Sequence, residues 1–124
     1  SITHSHEFTG IIISDTKEVG IDIEMQRDKI LRIANKYTPL EEYKTVANAD
    51  ALVRKLTIVW GAKESLYKIY AQHGLSFLHH IDITDFSLSD SETTGTILYK
   101  GKSSHYNIIF SEFEGYTCVY AIKN

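Results

Sequence analysis

Residues 51–72 constrain the fold more than any other segment. Leu52, Leu56, Val59, Leu66 and Tyr70 recur there at helical spacing and make one apolar stripe. Asp50 is placed to cap the start and Gly74 to close the end. A helix of this length must lay its stripe on something, and the rest of the chain supplies mainly strands. Ile81–Leu88, Thr94–Tyr99, Tyr106–Phe110 and Tyr116–Ile122 are apolar, β-branched or aromatic runs separated by Gly- or Ser-rich turns. Upstream, Phe8–Ser14 and Glu18–Glu24 flank Asp15-Thr16-Lys17 and read as a hairpin. Between hairpin and helix, Lys29–Tyr37 has Ile30, Ile33, Ala34 and Tyr37 at helical spacing. Thr38-Pro39 then opens a short helix ending near Val46. The expected fold is α+β, an antiparallel sheet packed against a long helix, in one domain over residues 1–124.

The chain's 124 residues suffice for a hydrophobic core. A net charge of −3 argues against a strongly basic nucleic-acid binder and leaves room for a local basic patch. The lone cysteine, Cys118, sits in the apolar run YTCVYAI and has no partner for an internal disulfide or a zinc site. It reads as a buried, inert thiol, which fits a reducing compartment such as the cytoplasm. No apolar run approaches the roughly 20 residues a membrane helix needs, and no signal peptide opens the chain. The first residue is Ser1 rather than Met, as in a processed product or a segment of something longer.

Strand alternation in GIDIE, residues 20–24, sends Ile21 and Ile23 one way and Asp22 and Glu24 the other. Two like charges on neighbouring same-face positions repel, so something cationic should meet them. Acids on a solvated edge strand are the plain alternative. WGAKESLYK, residues 60–68, shifts the balance. It places Trp60, Glu64, Tyr67 and Lys68 on one side of the helix. Glu64 and Lys68 alone would make an ordinary exposed i, i+4 pair. Lys63 falls on the apolar stripe, where an ammonium must either snorkel out or face an anion. Three acids can hold a hard divalent cation such as Mg²⁺, and lysines can neutralise the phosphate charge it leaves over. Thr3, His4, Ser5 and His6 add hydroxyl and imidazole donors for a further phosphate.

In order, SITHS at 1–5, VGIDIE at 19–24 and WGAKESLYK at 60–68 resemble the motifs of the 4′-phosphopantetheinyl transferase superfamily, and GLS at 74–76 resembles the segment after its helix. The resemblance covers residues 1–78, and the C-terminal strands match only in kind. It implies transfer of the phosphopantetheine arm of coenzyme A to a serine of an acyl or peptidyl carrier protein, with release of 3′,5′-ADP. Asp22, Glu24 and Glu64 would hold Mg²⁺, Lys68 would contact the pyrophosphate, and Glu64 would take the serine proton. His4 with Thr3 would meet the 3′-phosphate region, Lys63 would also serve phosphate, and Glu42 loosely matches a family acid near the site. Thr3 stands where the family often has Ser and keeps the hydroxyl. The motif order resembles the second, catalytic half of the family's longer, two-half type. That implies either a homo-oligomer that rebuilds the cleft or a partner half, and it leaves a non-catalytic module binding coenzyme A or a carrier as the alternative. Neither nucleic acid nor membrane is an expected partner. Arg27, Lys29, Arg32 and Lys36 offer a basic face to an acidic carrier, or simply a solvated helix face.

Overall fold

The computed structural model describes residues 1–43, 46 and 48–124. Strands β1 (Ile2–Ser5) and β2 (Phe8–Ile11) form a small hairpin, followed by β3 (Val19–Met25) and the short helix α1 (Lys29–Ile33). Helix α2 (Ala49–Tyr70) comes next, then α3 (Phe77–His80) and strands β4 (Ile81–Ile83), β5 (Glu92–Tyr99), β6 (Lys102–Phe113) and β7 (Tyr116–Lys123). The main sheet is antiparallel, with five strands in the order β3-β7-β6-β5-β4. The expected α+β arrangement, an antiparallel sheet against one long helix, is what the chain adopts.

Helix α2 lies across β3 and β7. Leu56, Val59, Ala62 and Leu66 lie on its sheet-facing stripe, and they are buried with Ile97, Ile108, Val119 and Ala121 of the sheet. Asn48, not Asp50, caps the helix: its side chain accepts the Ala51 amide at 2.8 Å. Ala71, not Gly74, ends it in the left-handed region at φ 51°. Arg54 clamps the first half of the helix to β6 through two 2.8 Å bonds to Glu112.

Three expected elements differ. The helix expected over Lys29–Tyr37 tightens after Ile33 into a 3₁₀ turn, Ala34–Lys36. The short helix after Pro39 is a 3₁₀ turn, Leu40–Tyr43, and its expected extension toward Val46 runs into residues 44, 45 and 47, outside the described ones. The strand expected over Ile81–Leu88 stops at Ile83, and Asp90 closes a turn by accepting the Ser87 amide at 2.8 Å.

The largest correction concerns the hairpin expected over residues 8–24. Phe8–Ile11 pairs with Ile2–Ser5, while Val19–Met25 pairs with Tyr116–Ile122 at the far end of the chain. On its other edge β3 is met by side chains. Ser1 Oγ accepts the Ile21 amide at 3.2 Å and Thr3 Oγ1 accepts the Ile23 amide at 3.1 Å. An edge strand's unpaired amides are thereby satisfied without a full ladder. The β1–β2 hairpin covers the apolar side of β3: Gly10 sits against Ile21 and Ile23, and Phe8 packs on Phe113 and Tyr116.

Candidate active site

The opposite face of β3 carries Gly20, Asp22 and Glu24, and α2 packs directly on it. Gly20 allows this approach, because a Cβ there would lie 2.3 Å from the Ser65 carbonyl oxygen. Gly61 does the same from the helix: a Cβ on it would meet Val119 at 2.7 Å and Asp22 Oδ2 at 3.6 Å. The Ser65 hydroxyl donates to the Gly61 and Val119 carbonyls at 2.8 and 3.1 Å, fastening the helix to β7 beside this contact.

Close packing brings the acids of both elements together. Asp22 is 5% exposed, and its Oδ2 has no hydrogen-bond partner among the described residues. Burial first, then the Glu24 carboxylate, raise Asp22 from its ordinary 3.8 to about 8; Lys68 opposes them, and Glu64 adds a smaller push upward. Burial raises Glu64 as well, with Lys68 opposing and Glu24 adding to it. Glu64 lies one helical turn from both Gly61, where an added Cβ would stand 3.6 Å from Asp22 Oδ2, and Lys68, which bonds Asp22, so its backbone position is on the side of α2 that faces β3. Glu24 Oε1 accepts the Trp60 indole N–H at 3.1 Å. Lys68 Nζ donates to the Ile21 carbonyl at 2.6 Å and to Asp22 Oδ1 at 3.4 Å, and its side chain is 30% exposed.

Other expected site residues are placed differently. Lys63 does not snorkel out, and among the described residues it bonds no acid, although Asp82 and Glu42 act on it from farther away. Its ammonium is buried and donates to the Tyr37 and Phe77 carbonyls at 2.6 and 2.7 Å, and burial lowers it to about 8. The apolar stripe explains this: a lysine there reaches the nearest acceptors, which are backbone carbonyls. Thr3 is buried with its hydroxyl on the β3 backbone, whereas His4, next along β1, is exposed. Glu42 lies apart from the acid cluster and lines a cavity with Tyr43 and Asp85.

Beside Glu24 the surface is concave. A cavity of about 150 Å³ is lined by Glu24, Arg27, Lys29, Ile30, Ile33 and Trp60, among others. It shares Ile33 and Trp60 with an apolar groove of about 360 Å³ completed by Lys36, Tyr37 and Phe77. Sequence reading did not single out Tyr37 or Phe77 as parts of the site, because nothing in their spacing ties them to Trp60. Gly20 and Gly61 were visible only as letters inside motifs.

The family model of the 4′-phosphopantetheinyl transferase superfamily matches residues 18–121, nearly the whole chain. The chain belongs to the 4′-phosphopantetheinyl transferase superfamily. No curated protein matches it with significance. The span matched to the transferase superfamily contains β3 and α2, hence all three acids and Lys68, and excludes Thr3 and His4.

Transferase chemistry on a diphosphate calls for a hard divalent cation. Among the described residues no three His, Cys, Asp or Glu side chains are placed together so that they could hold a metal ion. Glu24 is instead engaged by Trp60, and Asp22 by Lys68. The residue chemistry is of the kind a hard cation takes: Asp22, Glu24 and Glu64 offer only carboxylate oxygens, and a buried Asp22 oxygen is unpartnered. Among the described residues no helix is long and apolar enough to cross a membrane.

Proposed function

We propose that this chain carries the catalytic half of a site that transfers the 4′-phosphopantetheine arm of coenzyme A to a serine of an acyl or peptidyl carrier protein, releasing 3′,5′-ADP. The observation that supports the reading is the close approach of β3 to α2 at Gly20 and Ser65, which sets the strand face of Asp22 and Glu24 against the helix side that carries Glu64 and puts Trp60 on Glu24 and Lys68 on Asp22. Asp22, Glu24 and Glu64 would hold Mg²⁺, which when bound supplies charge neutralisation on the pyrophosphate. Lys68, partly exposed at the edge of the cluster, adds a cation for the same diphosphate. The carrier serine oxygen forms a bond to the β-phosphorus, the bond to the bridging oxygen breaks, and the nucleotide departs with that oxygen. Glu64 accepts the serine proton, a role suited to a carboxylate whose proton affinity is raised by burial. Positioning and charge placement dominate in phosphoryl transfer, so little else is asked of the protein.

The cavity flanked by Arg27 and Lys29 opens beside Glu24, which supports docking of an acidic carrier there. The exposed residues Ile2, Ile11 and Ile13 support a second body on the β1–β2 side, either another copy or a partner half that completes the grip on the nucleotide. A cytoplasmic location goes with this reading. One observation favours the rival, a non-catalytic module that binds coenzyme A or a carrier. Thr3 and Lys63, two of the side chains expected at phosphate, are committed to backbone groups.

Transfer is tested by mass spectrometry of an apo carrier protein incubated with this chain, coenzyme A and Mg²⁺. The expected result is a phosphopantetheine mass increment with the wild type and none with Glu64→Gln. Near-normal transfer by Glu64→Gln removes Glu64 from the mechanism, and coenzyme A binding without any increment selects the module.

A further inference from the structure

Lys63 sits one residue before Glu64, is 2% exposed, and makes no hydrogen bond to an acid among the described residues. Its two acceptors are unrelated in the chain. Tyr37 follows the 3₁₀ turn Ala34–Lys36, and Phe77 opens α3. Their two rings pack on the same indole. Tyr37 meets Trp60 nearly edge-on at 5.0 Å between centroids, and Phe77 meets it at 5.5 Å from a tilted plane. That indole donates to Glu24 Oε1.

We propose that Lys63 is a positioning residue: by pinning the Tyr37 and Phe77 backbones it fixes the aromatic slot that holds the Trp60 indole, and through Trp60 it aims the Glu24 carboxylate. Two segments that share neither strand nor helix need a common anchor to hold a ring between them. An apolar side chain of the same length would fill the space but offer the carbonyls nothing. A lysine supplies several donors from one point and serves both carbonyls at once. Only the last link, from Glu24 to a bound cation, rests on the reading of the acids as metal ligands.

Trp60 is the only tryptophan, so fluorescence excited on the red edge of the indole band, where the tyrosines do not absorb, reports this indole alone. Lys63→Met keeps the stem and removes the donors, and Lys63→Arg keeps charge and donors. With far-UV circular dichroism confirming folded protein, Lys63→Met is expected to shift Trp60 emission to the red and make it more accessible to acrylamide. Lys63→Arg should return both readouts toward the wild type. Affinity for Mn²⁺ alone, read by electron paramagnetic resonance, should fall roughly 10-fold in Lys63→Met. Emission and quenching equal to wild type in folded Lys63→Met overturn the proposal. So does loss of the folded signal in both variants, because Lys63 would then hold the fold rather than the slot. Absence of Mn²⁺ binding by the wild type defeats the metal reading alone, and the fluorescence comparison still decides the role of Lys63.

Discussion

Gly20 lies so close to the Ser65 carbonyl that a methyl group at position 20 would come within 2.3 Å of its oxygen. Backbone cannot yield as a flexible side chain does, so β3 and α2 must separate to admit it. Gly20→Ala is expected to cost about 1–3 kcal/mol in urea unfolding. Because the same contact sets the spacing of Asp22, Glu24 and Glu64, carrier modification should fall by roughly 100-fold. Unchanged stability and transfer would mean that this approach does not set the site.

Asp22 makes the metal-free protein sensitive to pH. Burial and the neighbouring Glu24 carboxylate raise it from 3.8 to about 8, so the folded chain keeps a proton that the unfolded chain releases between those values. The resulting contribution is full below pH 3.8 and is lost as pH rises through about 8. Asn mimics the protonated acid. In EDTA, Asp22→Asn should melt several degrees above wild type at pH 8, and the difference should vanish near pH 4. A variant less stable than wild type at pH 8 contradicts this account of the cluster.

Thr3 supplies an acceptor to the edge of β3. Thr3→Val keeps the shape and leaves the Ile23 amide without its partner, at an expected cost of about 1–2 kcal/mol, while Thr3→Ser retains most of the stability. Urea midpoints check this. If Thr3→Val unfolds like wild type yet binds coenzyme A more weakly, the hydroxyl serves the ligand instead.

A basic carrier-docking face predicts salt-sensitive kinetics. Arg32 and Lys36 are exposed, and Lys36 borders the apolar groove. Reversing both charges should lower kcat/KM for an acidic carrier roughly 10-fold at low salt, with the difference shrinking as salt is added. Equal rates at low salt place the carrier elsewhere.

Much of this arrangement was legible in the residues. Period-two alternation put Asp22 and Glu24 on one face and helical spacing put Trp60, Glu64 and Lys68 on one side of α2, and in the fold Trp60 meets Glu24 and Lys68 meets Asp22. Pairing was not legible. FTGIIIS and VGIDIE look like partners because both are β-rich and a turn separates them. The partner of β3 nevertheless arrives with Tyr116–Ile122, and a strand's own residues do not encode who pairs with it across such a separation. Lys63 shows the same limit. Its place on the buried stripe was evident, but its acceptors are backbone atoms of Tyr37 and Phe77, whose positions only the tertiary fold sets.

The central claim is that Asp22, Glu24 and Glu64 jointly hold a divalent cation on the diphosphate of coenzyme A. Titration calorimetry of this chain with coenzyme A, with and without Mg²⁺, tests it most directly. Saturable binding that requires Mg²⁺ and disappears in Asp22→Asn is the predicted result, and binding that is absent, or equally strong in EDTA, contradicts it.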